Sequence, residues 1–98
     1  MKVRLSKRAQ GAIARIDARW REVADHPETL LRELLDTIEL LETVSAPGTP
    51  CPTAKRPRLK RVLLEKSDCH VYFEINEGKQ MIEVLTVWSA RRARAPKL

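Results

Sequence analysis

The residues of this chain with the most chemical capacity fall in its second half: Lys60 and Arg61, then His70 and Tyr72, then Trp88, Arg91 and Arg92. A histidine can take up a proton near neutral pH, and arginine holds phosphate through paired N–H donors. His70 as base, with Arg61 and Arg91 holding a phosphate, would have the parts for attack on a phosphodiester. The plainer reading is favoured, in which His70 is a strand residue on a half-exposed face. Trp88 reads first as packing that closes the end of a sheet. Its second reading is a stacking platform beside Arg91, suited to RNA or a protein partner. Tyr72 carries the same two readings. Lys55, Arg56 and Arg58 form either a solvated loop or an extension of a basic patch, and Arg94 and Lys97 read as a solvated tail.

These residues need a sheet to gather them, and the segment from Leu59 to Arg92 supplies one. Residues 59–65 read as a strand, and Lys66-Ser67-Asp68 as its turn. Residues 69–76 alternate, with Val71, Phe73 and Ile75 on one face and His70, Tyr72, Glu74 and Asn76 on the other. Glu77-Gly78 is expected to turn tightly, with Gly78 free to take positive φ. In residues 79–88, Met81, Glu83, Leu85 and Val87 alternate with Ile82, Val84, Thr86 and Trp88. Both sets are largely apolar, as in a central strand covered on two sides. Residues 89–98 form a basic tail.

The first half reads as the backing. Val3 and Leu5 alternate with bases in a short strand, residues 2–5. Ser6 is the expected N-cap of a helix over 6–25, whose stripe is Ala9, Ile13, Ile16, Trp20 and Val23. Asp25-His26-Pro27 interrupts the pattern. A second helix over 27–43 follows, with Leu31, Leu34, Leu35, Ile38 and Leu41 as its stripe, widened by Leu30 and Leu40. Residues 44–58 hold four of the six prolines, so they read as a connector. The expected fold is α+β, ordered β-α-α-β-β-β, in one domain over 1–98. A two-helix hairpin packs on one face of a small, mainly antiparallel sheet. The other face is left to solvent or to a partner.

Charge is unevenly shared. Residues 1–54 carry eight bases and eight acids, whereas residues 55–98 carry eleven bases and five acids and hold the whole net charge of +6. Such an excess suits an anionic partner. Within the first half, residues 1–24 sum to +5 and residues 25–54 to −5, which favours an antiparallel pairing of the helices. Cys51 and Cys69 lack paired spacing. With only His26 and His70 beside them they make no zinc set, so no metal or cofactor is expected. The opening MKVRLSKRAQ has no apolar core of a signal peptide. No run approaches the ~20 apolar residues of a membrane span. The expectation is a cytoplasmic protein that does not engage a membrane.

Read together, these segments resemble the ParE/RelE superfamily of toxins from bacterial type II toxin–antitoxin systems, of ParE-like, plasmid-stabilisation type. The opening LSKRAQGAIARIDARWRE resembles the family's short strand running into an Ala/Arg-rich helix with a late tryptophan. Arg61 to Leu64, then Val71-Tyr72-Phe73, then Ile82 to Val87 followed by Ser89 and Arg92, resemble its closing strands. The resemblance covers about residues 2–92. It implies a toxin neutralised by a small cognate antitoxin, touching DNA only through that complex. ParE-type members poison DNA gyrase, whereas RelE-type members cut messenger RNA on the ribosome. The residues expected to bind the target or the antitoxin are Arg58, Lys60, Arg61, Tyr72, Trp88, Arg91 and Arg92, of which Arg91 and Arg92 stand at the family's polar fixture. In a nuclease, Lys60, Arg61, His70 and Arg91 would act. RelE-type cleavage also uses a C-terminal tyrosine, and this chain has none after Tyr72. The expectation is therefore a gyrase-binding toxin. The alternatives are an mRNA endonuclease and a non-toxic member working only in an autoregulatory complex.

Overall fold

A computed structural model describes residues 1–23, 25–43 and 48–98. The elements are β1 (Lys2–Leu5), α1 (Lys7–Val23), α2 (Thr29–Thr43), β2 (Thr49–Pro50), β3 (Lys60–Leu64), β4 (Cys69–Asn76) and β5 (Met81–Ser89). Five strands lie in the order β1-β5-β4-β3-β2. β1 runs parallel to β5, and the other neighbours are antiparallel. The fold is α+β with both helices on a mixed sheet. It contains one strand more than expected, because the connector contributes β2. Part of that connector, residues 44–47, lies outside the described residues, as does residue 24 near the end of the first helix.

The core is built from the helix-facing side of the sheet. Val71, Phe73, Val84, Ile82 and Val87 are buried against Ala9 and Ile13 of α1 and against Leu30, Leu34 and Leu41 of α2. The apolar stripes are narrower than the sequence suggested. Val23 is 77% exposed, Leu35 65% and Leu40 44%, so these three leave the core. Ala12 enters it instead, at 5%. The opposite charges of the helices make no direct bond: among the described residues no ion pair joins α1 to α2. Glu33 of α2 serves another purpose. Its carboxylate accepts from the N–H groups of Lys66 and Ser67 and from the Ser67 hydroxyl. This pins the β3–β4 turn to the helix layer.

Three backbone details set the rest. Gly48 has φ of 105°, and a Cβ there would stand 2.9 Å from Phe73 Cζ and 3.0 Å from the Arg61 carbonyl. Only glycine lets β2 lie down so close to the core. The β4–β5 turn does not use Gly78 in the left-handed region. Gln80 takes that conformation, at φ 51°, and its N–H donates to the Glu77 carbonyl. Finally, β5 carries a bulge: Tyr72 faces Thr86, but Phe73 faces Val84. Leu85 is thus the extra residue, and the alternation reverses across it. Ile82, Val84 and Val87 face the helices. Met81, Glu83, Thr86 and Trp88 share the other face with Asn76, Glu74, Tyr72 and His70, their register partners.

Candidate functional site

Ser6 organises the end of the molecule where the arginines gather. Its hydroxyl accepts from the Ala9 N–H (3.0 Å), capping α1, and donates to the carbonyl of the bulged Leu85 (2.9 Å). Its own N–H donates to the Val84 carbonyl. The start of α1 is thereby fixed to β5 at the point where β1 ends, since the β1–β5 register stops at Leu5 and Val84. Beyond it α1 lies beside the last residues of β5. The space between them is a groove of about 880 Å³, closed at one end by the β3–β4 turn. A smaller cavity of about 540 Å³ lies between Arg8, Trp88 and the C-terminal tail.

The candidate residues fall into two groups. Arg61, His70 and Tyr72 lie on the sheet face away from the helices, where Arg61 is the register partner of Tyr72 and Trp88 that of His70. The His70 and Tyr72 rings meet edge to face at 6.1 Å. This face is not bare, because Tyr72 is only 3% exposed and Thr86 2%. The second group is Trp88, Arg91 and Arg92 at the end of β5. The Arg92 guanidinium sits 4.1 Å from the Trp88 ring centroid, and the indole N–H donates to the Arg94 carbonyl at 2.9 Å. Arg91 donates to Asp68 at 2.9 Å. Asp68, at φ 54°, also accepts the Ala90 N–H on its carbonyl. The His70–Trp88 pairing makes the two groups neighbours. Lys60 departs from both: it stands opposite Phe73, on the helix side. Arg58 is exposed and precedes β3.

Titration follows this geometry. Burial, then the Arg61 charge, lowers the His70 pKa below its ordinary 6.5, with Asp68 opposing. His70 Nδ1 is buried with no hydrogen-bond partner among the described residues. The unfolded chain therefore takes up a proton near pH 6.5 that the folded chain resists. Stability should be full above that pH and fall as pH drops through and below it. Urea midpoints measured from about pH 7.5 to about pH 5 should decline less in His70→Gln than in the parent, and equal slopes would contradict the assignment. Burial, then Asp68 and Glu33, push the Cys69 thiol up to about 11. That thiol stays protonated and unreactive at neutral pH.

Sequence reasoning passed over one wall of the groove. Arg8, Arg15 and Arg19 line it from α1, and all three are exposed. The signal was present: spacings of seven and four put three arginines on one helical face.

Comparison with known proteins agrees with this fold. The family model for the ParE toxin of the type II toxin–antitoxin system, parDE, matches residues 3–94. No curated protein matches the chain in sequence. Among solved structures, one from the chromosomal ParDE toxin–antitoxin system of P. aeruginosa superposes with a TM-score of 0.74 at 17% identity. That match covers 93% of this chain and 97% of the other. The isolated E. coli RelE toxin superposes with a TM-score of 0.57 at 16% identity, over 95% of this chain and 87% of the other.

Proposed function

Because this chain belongs to the ParE toxin family of type II toxin–antitoxin systems, we propose that it arrests growth by binding DNA gyrase in the cytoplasm and that a cognate antitoxin neutralises it. The observation that carries the reading is the end of β5. Trp88, Arg91 and Arg92 form an aromatic and cationic cluster, with both arginines exposed. Such a cluster suits a protein partner, for which Trp and Arg are the common anchors. Leu35 and Leu40, exposed on α2, offer apolar area for the antitoxin. The chain's one tyrosine is buried in the sheet, a poor position for donating a proton to a leaving group.

One observation favours RNA cleavage instead: His70 is held toward its neutral form beside Arg61, as a general base requires. Expression of the chain alone should stop growth, and co-expression of a neighbouring antitoxin gene should restore it. Purified protein should inhibit gyrase supercoiling and leave ribosome-bound messages intact. Arg91→Ala with Arg92→Ala should remove the toxicity and shift Tm by only a few degrees, because exposed ion pairs contribute about 0–1 kcal/mol. Cut messages with untouched supercoiling would replace this reading with the nuclease. An absence of growth arrest would leave a member acting only through its antitoxin complex.

A further inference from the structure

We propose that the groove between α1 and the end of β5 binds the sugar–phosphate backbone of a single-stranded nucleic acid. Arg8, Arg15 and Arg19 stand on one side, and Lys66, Arg91 and Arg92 on the other. Asp68 is the one acid among the described residues of the lining, and it is already bonded to Arg91. Arg8, Arg15, Arg19 and Arg92 have no carboxylate partner among the described residues. Six cations facing each other across one cleft repel, and a bound polyanion relieves that repulsion.

The arrangement is linear, as a strand requires. At 1.5 Å rise per residue, Arg8 to Arg19 spans about 16 Å of helix, with Arg15 about 6 Å from Arg19. That is the length of a few nucleotides, at the lower end of the ~4–16 that basic grooves cover. Five of the six cations are arginine, whose planar fork matches phosphate oxygens. Trp88 lines the same groove with Arg92 over its ring, which sets an aromatic surface for a base beside a cation for its phosphate.

An acidic peptide fits less well. A peptide entering beside an open strand gains most of its affinity from main-chain hydrogen bonds. Here the Val84 and Leu85 carbonyls, where the β1–β5 ladder ends, are already taken by Ser6, which leaves only the short edge at Thr86–Ser89 for such bonds. The tail folds back over the far end, with Trp88 bonded to Arg94 and Arg8 bonded to the Lys97 carbonyl at 2.6 Å.

This proposal concerns the free chain and does not rest on the gyrase reading. Its test is fluorescence anisotropy of purified protein with labelled single strands of about 12 nucleotides, as DNA and as RNA of the same sequence. Binding should weaken with salt between about 50 and 200 mM, with log K falling on log salt at a slope of about −2 to −4, as about three to six phosphate contacts require. Arg15→Ala with Arg19→Ala should weaken binding about tenfold and flatten the slope by about 1.4. Arg15→Lys with Arg19→Lys should keep the slope, and Lys79→Ala, on the remote β4–β5 turn, should change nothing. Preference for RNA would name the natural strand and parity would leave phosphate as the recognised group; either supports the proposal. It is overturned by salt-independent binding, by unchanged affinity in the double alanine variant, by a duplex that binds more tightly, or by polyglutamate that displaces the strand at equal charge.

Discussion

Phe73→Ala should lower the unfolding free energy by about 3–5 kcal/mol, the range for emptying a large aromatic site in a core. Phe73 is 0% exposed at the middle of β4. It packs in the cluster that joins both helices to the sheet, and its ring tip defines the space that only Gly48 can occupy. A domain of this size has a total stability of about 5–15 kcal/mol, so the variant should be marginally folded. Its urea midpoint should fall by about 2–3 M, taking a slope of about 1.5 kcal/mol/M. A loss below about 1 kcal/mol would mean that neighbouring side chains collapse into the site, contrary to the close approach of β2. Tyr72, its neighbour on the opposite face, is buried to a similar degree but lies outside this cluster.

Glu33→Ala should cost about 2–5 kcal/mol, which is large for a single half-buried carboxylate. Its oxygens accept from Lys66 N (2.8 Å), Ser67 N (2.8 Å) and Ser67 Oγ (2.6 Å). Hydrogen bonds to a charged group contribute about 1.5–3 kcal/mol each, and a buried donor left without a partner costs about 1–3. Ser67 is 5% exposed, so both of its donors would be stranded. Glu33→Gln should lose less, since its amide oxygen still accepts while its NH₂ group faces donors. Hydrogen exchange provides the direct readout: the Lys66 and Ser67 amides should lose protection in the alanine variant, and unchanged protection would remove the turn from Glu33's control. The effect should reach the candidate site. The same turn carries Asp68, which holds Arg91 and Ala90, and it forms one end of the groove.

Much of the fold was legible because its causes are local. Ser6 before an apolar stripe specifies a cap, and the cap is present. Alternation in residues 69–76 assigns Val71 and Phe73 to the core, where they lie. Other features depended on distant partners. Leu35 and Leu40 have the same apolarity as Leu34 and Leu41. Which of them is buried depends on how α2 is rotated on the sheet, and the sequence pattern left that open. The same pattern gave Gly78 the turn's special conformation, which the geometry assigns to Gln80.

The sequence by itself determined the element types outside the connector, the charge imbalance and the cluster at the end of β5, because periodicity and composition act over a few residues. The tertiary structure alone decided where that charge is gathered. The bulge at Leu85 reverses the faces of β5, so Thr86 and Trp88 share a face with Tyr72 and His70, which strict alternation could not foresee. Ser6 binds the bulge and fixes α1 alongside it. This brings Arg8, Arg15 and Arg19 to face Arg91 and Arg92 across one groove. A residue far along the chain sets that register, and no local pattern encodes it.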